Sequence, residues 1–127
     1  MEEQLIDFDF LEELSGGEQI YKYELLGIFL ATVDEGLTNL QNLVEGNKDF
    51  DAIFKQAHAL KSSAGIIKVR DMHARLARIE ELGRAISEKK AVTGKEEIKD
   101  LFAKVKETYN EAHPLLLAAR DKNKPTE

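Results

Sequence analysis

His58 and Lys61 stand three residues apart in Ala57-His58-Ala59-Leu60-Lys61-Ser62-Ser63-Ala64-Gly65. An α-helix advances about 100° per residue. With His58 at zero, Ile53, Ala57, Leu60, Ala64 and Ile67 fall between about 180° and 260°, an apolar stripe facing a core. His58 therefore points away from that core, flanked by Ser62 and Gly65, which are too small to cover an imidazole. Phe54 and Lys61 fall beyond Gly65 on the side away from Ser62, and Lys61 lies one turn along, within reach of the ring. A neutral imidazole nitrogen attacks phosphorus well, and a nearby ammonium can neutralise charge arriving on a phosphoryl group. On pattern alone, an ordinary exposed helix histidine stays open as the alternative.

Glu80 follows 22 residues after His58, on the flank of the next helix's apolar stripe. Two consecutive helices joined by a short turn run antiparallel, so that flank can face His58. A carboxylate accepting the Nδ1 proton would fix the imidazole tautomer and leave Nε2 as the nucleophile. A solvated Glu80, or one paired with Arg84, is the alternative, and Glu81 is the neighbour to distinguish from it. His73 and His113 read as surface and helix-end residues. Glu-x-x-His and His-x-x-x-His pairs and Gly-rich phosphate loops are absent from the sequence, so neither a metal nor a nucleotide site of the chain's own is expected.

These residues resemble the histidine-containing phosphotransfer (HPt) domains of two-component phosphorelays. The family motif is His-x-hydrophobic-Lys, a small-residue run, and a small residue seven after the histidine; here that is His58, Leu60, Lys61, Ser62-Ser63-Ala64 and Gly65. Leu14-Ser15-Gly16-Gly17 resembles the stretch near the family's start, and Leu76 to Arg84 its following helix. The spacing of Glu80 is similar to that in phosphotransfer domains of chemotaxis kinases, where a glutamate bonds the active histidine. Two positions depart from the pattern: Ser62 and Lys68 stand where glycines are usual.

The resemblance implies a phosphoryl carrier, not an enzyme with its own nucleotide site. His58 would be the phosphoacceptor, Lys61 the charge-stabilising group and Glu80 the orienter of the histidine. The partners would be receiver domains of response regulators or hybrid kinases. Mg²⁺ would belong to the partner receiver, with no cofactor on this chain. Phe54, Ser62 and Gly65, with Ala59, Ile66 and side chains around Gly27, are the expected docking surface. The alternative function is a helical adaptor that docks and regulates a receiver or kinase without being phosphorylated.

The whole chain must position these groups. At 127 residues, 43% of them hydrophobic, it is one domain's length with material for a core. It contains no cysteine, which excludes disulfides and thiol chemistry. No apolar run approaches membrane-spanning length, and Met1-Glu2-Glu3 lacks a signal-peptide pattern; a cytoplasmic monomer is the expectation. Residues 1–54 carry 13 acidic and 2 basic side chains, whereas residues 55–90 carry 9 basic and 4 acidic ones. The net charge of −6 argues against nucleic acid. The basic segment around His58 could steer an acidic partner.

The periodicity predicts an all-α fold: an antiparallel four-helix bundle with a short N-terminal helix over residues 1–120, then a polar tail at 121–127. The first helix is expected at 5–14. A long second helix at 17–45 has its seam at Tyr23, Leu26, Leu30, Val33, Leu37, Leu40 and Val44, and Gly46-Asn47 closes it. The third is expected at 48–66, a turn at 67–69, the fourth at 70–90, and the fifth from 94, where Pro114 kinks or ends it. Ser15/Glu18 and Thr93/Glu96 have capping-box spacing.

Overall fold

A computed structural model describes residues 4–126. Met1-Glu2-Glu3, and Glu127 at the end of the expected tail, lie outside the described residues. The elements run β1 (Ile6–Asp7), α1 (Asp9–Ser15), α2 (Gln19–Gly46), α3 (Phe50–Ser63), β2 (Lys68–Val69), α4 (Met72–Ser87) and α5 (Lys95–Lys122). Helices α2 to α5 close a ring in which α3 packs most extensively on α4, α4 on α5, and α2 on both α3 and α5, while α1 rests on α2. This is the expected four-helix bundle with a short N-terminal helix.

The seam of α2 is buried as its periodicity dictates: Leu26, Leu30, Val33, Leu37, Leu40 and Val44 all lie in the core, joined by Phe29 and Gly36. Tyr23 is only half-buried. Ile53, Ala57, Leu60, Ala64 and Ile67 of the α3 segment are buried against it, which turns His58 outward. Helix α4 contributes Met72, Leu76 and Ile79, and α5 contributes Ile98, Phe102, Val105, Tyr109, Ala112 and Leu116. Tyr109 reaches across to α2, where its hydroxyl donates to Asp34 Oδ1 at 2.6 Å. Burial first, then that bond, pushes the phenol far above its ordinary range.

The ends of the elements correct several expectations. Leu5 and Phe8 do not belong to a first helix. Ile6 and Asp7 pair antiparallel with Val69 and Lys68, and Arg70 N–H donates to Leu5 O. Asp7 Oδ1 then accepts from Asp9 N–H at 2.9 Å and starts α1. The expected turn at 67–69 is thus the partner strand. Lys68 needs no glycine-like backbone, because the left-handed turn residue is Asp71, at φ 59°.

Neither capping box forms. Ser15 Oγ donates back to Glu12 O and accepts from Gly17 N–H, closing α1 with Gly16 left-handed. Gly94, at φ 117°, caps α5 without any side-chain bond from Thr93. The unexpected cap is Asp49, whose carboxylate accepts Ala52 N–H at the start of α3. Gly46-Asn47 does close α2, with Asn47 left-handed and its N–H on Leu43 O. Pro114 does not end α5, which continues to Lys122, two residues into the expected tail. Pro114 and Asn110, the residue whose carbonyl it leaves without a helical partner, are both exposed. Ala112 and Leu116 hold the helix to the core on either side.

Candidate functional site

Helix α3 presents His58 and α4 presents Glu80, and the antiparallel α3–α4 pair brings them into contact. His58 Nδ1 lies 2.5 Å from Glu80 Oε1, and Lys61 Nζ donates to Glu80 Oε2 at 2.8 Å. The carboxylate is one of two buried polar side chains in the described structure, and both of its oxygens are engaged. An ionised carboxylate only accepts hydrogen bonds, so the contact assigns the proton to Nδ1. The Nε2 lone pair is then free. The imidazole is 62% exposed while the Glu80 side chain is 11% exposed. A buried acceptor therefore fixes a ring whose reactive edge is open to solvent.

The electrostatics keep Glu80 charged. Its carboxyl is held below the usual carboxylate range, first by the Lys61 hydrogen bond. Burial opposes this, and the bond to His58 adds to the lowering. Arg84 completes the surroundings, with Nη2 3.8 Å from Glu80 Oε1 and its guanidinium 5.1 Å above the Phe54 ring. From the sequence, Arg84 is expected as a competing partner for Glu80 and as one of the basic residues around the histidine. It is a second cation at the carboxylate, beside Lys61, rather than a replacement for His58. A cavity of about 410 Å³ beside the carboxylate is lined by Lys61, Glu80, Arg84, Glu88 and Lys90, among others.

Of the other candidates, Ser62, Gly65 and Ala59 are exposed on α3 and just beyond it, and Ile66 is half-buried. Phe54 is half-buried between Arg84 and the backbone of Gly83. Gly27 does not adjoin this face. A Cβ on Gly36 would meet Leu60 and Gln56, so Gly36 faces α3, and nine residues of helix turn Gly27 to about the opposite side. Ile28, next to Gly27, is the α2 side chain of that expected set that turns toward this face. It lies about 80° round from Gly36, away from the α5-facing Asp34, and is 58% exposed. Since α2 and α3 are antiparallel, Ile28 comes level with the end of α3.

Glu81 is not the histidine's partner; it pairs with Arg78 at 2.9 Å. His73 lines a separate cavity of about 590 Å³ with Asp7, Gly65, Lys68 and Arg70. His113 is not at a helix end. It sits inside α5, 3.5 Å from Asp34 Oδ2 and edge-on to Tyr109. Among the described residues no cluster of histidine and carboxylate side chains could hold a metal ion, and no helix is long and apolar enough to cross a membrane.

No curated protein and no solved structure matches the chain. The family model of the Hpt domain matches it over residues 24–108, a span that holds α3, α4, nearly all of α2 and the first half of α5. The helical ring, the outward histidine and that match agree: the chain belongs to the Hpt domain family, the phosphotransfer domains of two-component signalling.

Proposed function

We propose that this domain is a relay intermediate that accepts a phosphoryl group on His58 from the phospho-aspartate of one receiver domain and passes it to the aspartate of another. The observation that carries this reading is the Nδ1 contact with Glu80, on a ring that stays largely open to solvent. Nε2 attacks phosphorus with its lone pair. The N–P bond forms as the P–O bond to the aspartyl carboxylate breaks, and that carboxylate leaves with the electron pair. No proton need move. The product ring keeps its Nδ1 proton and carries positive charge, which Glu80 balances across the hydrogen bond. The reverse step needs the same groups.

Lys61 holds Glu80 in the unphosphorylated chain, and its ammonium is one turn from the ring, where it can share charge with phosphoryl oxygens. The receiver supplies its acidic pocket and Mg²⁺. Ala59, Ser62, Gly65, Ile66 and Ile28 provide the surface on which it docks, at a cytoplasmic location, with this chain as a monomer. Phe54 contributes beneath that surface, holding Arg84.

The test is transfer from a panel of radiolabelled phospho-receivers to wild type and to His58→Gln. Acid-labile, base-stable label on wild type alone is the expected result. Receiver binding that is equal in both chains, with label on neither, would replace the relay with a docking adaptor.

A further inference from the structure

Gly83 is buried in α4, where the helix backbone meets α3. A Cβ placed on it would lie 3.1 Å from Phe54 Cβ, 3.3 Å from Phe54 N and 3.5 Å from Ile53 Cγ2. Two of these atoms are backbone or fixed directly to it, so they cannot swing aside as the end of a long side chain would. Any side chain at 83 must push α4 away from α3 by a few tenths of an ångström, or tilt it.

The location of that contact gives it consequence. Phe54 is four residues before His58, and Gly83 is three residues after Glu80. In an antiparallel pair these are successive rungs, one turn apart. The spacing set at Gly83 is therefore the spacing across which Glu80 must reach His58, where the bond is 2.5 Å long. Glu80 is also held from its other side by Lys61 at 2.8 Å, a residue of α3 as well. Both bonds span the same gap, and widening it strains the two together. Phe54 ties the rung to Arg84, whose guanidinium covers the ring.

We infer that Gly83 is a positioning residue for phosphoryl transfer: its missing side chain sets the α3–α4 distance at which Glu80 holds the proton on His58 Nδ1. This rests on the reading of His58 as the phosphoacceptor, but its first readout does not involve phosphate.

The experiment compares wild type, Gly83→Ala, Glu80→Asp and, as a control, Gly27→Ala, where an added Cβ meets nothing within 4 Å. Nitrogen-15 shifts of the neutral His58 ring report which nitrogen carries the proton. Wild type and Gly27→Ala are expected to show a proton on Nδ1. Gly83→Ala is expected to show a mixture of tautomers at native circular dichroism, and its transfer rate from a phospho-receiver should fall about tenfold. Glu80→Asp withdraws the carboxylate by one methylene on an unaltered backbone, and should shift the tautomers in the same way. Combining Gly83→Ala with Glu80→Gln should slow transfer no further than Glu80→Gln alone. Wild-type nitrogen shifts in folded Gly83→Ala, even with reduced thermal stability, would overturn the proposal. If Gly83→Ala does not fold, full retention of the Nδ1 proton in Glu80→Asp would do the same. Changed shifts with no transfer in wild type would instead remove the relay reading and leave the positioning intact.

Discussion

At the scale of single residues, Glu80 is the group whose chemistry is most constrained. It is an acid kept ionised among Lys61, His58 and Arg84. Its folded-state pKa lies below its ordinary value of 4.5. Between the two values the unfolded chain binds more protons than the folded one, so stability rises with pH there. The contribution is complete above the ordinary value and is lost as pH falls through the lowered one. Urea midpoints measured across acid pH should therefore show a shallower acid limb in Glu80→Gln than in wild type. The same variant should slow phosphoryl transfer by about tenfold, roughly 1.4 kcal/mol, since an amide cannot balance a charged ring. His58, Lys61 and Glu80 were legible in the sequence because each lies on a helix face that periodicity defines. Arg84 over Phe54 was not, and neither was the closeness of Gly83 to Phe54. Periodicity says which way a residue points from its own helix, but not how near the neighbouring helix comes.

At the scale of elements, the helices were legible and their ends less so. Apolar spacing of three and four residues found α2 to α5, because burial of one stripe is what stabilises each. The capping boxes failed for a local reason. Ser15 had a competing use at the end of α1, and Gly94 took a left-handed conformation that left Thr93 outside the cap. The strand pair was invisible because two residues on each side carry no period, and their register is set by the corner between α3 and α4. Asp49 caps the helix that bears His58. Asp49→Ala should lower stability by about 1 kcal/mol, measured by urea unfolding. Transfer by the folded protein should be unchanged, because the cap lies nine residues before the histidine.

At the scale of the whole molecule, charge is distributed against its own average. A chain of net charge −6 places Lys55, Lys61 and Arg84 around the histidine, while its first 54 residues hold most of the acid. An acidic receiver pocket would be drawn to the α3–α4 face that carries His58 and repelled by the acidic N-terminal part of the chain, so encounter is oriented as well as accelerated. Screening shortens the range of such steering to about 8 Å at physiological ionic strength and about 3 Å at 1 M. Stopped-flow association with a receiver should therefore slow by about tenfold between low and high salt, with dissociation little affected. Association independent of salt would mean that apolar contacts at Ile28, Ala59 and Ile66 guide docking alone.

The bond from Tyr109 to Asp34 leaves an optical signature. The chain has three tyrosines and no tryptophan, so its near-ultraviolet absorbance and emission come almost wholly from phenols. Tyr109 is buried, and its hydroxyl donates to a carboxylate; its ionisation is pushed far up. Protons favour the folded state at that site, so its stabilising effect is whole below the ordinary phenol range and is lost as alkali removes the proton from the unfolded chain. An alkaline titration of the folded bundle should stop short of the full phenolate absorbance. The missing share should appear only as α5 separates from α2, which makes Tyr109 a built-in reporter of bundle opening on the side away from the histidine.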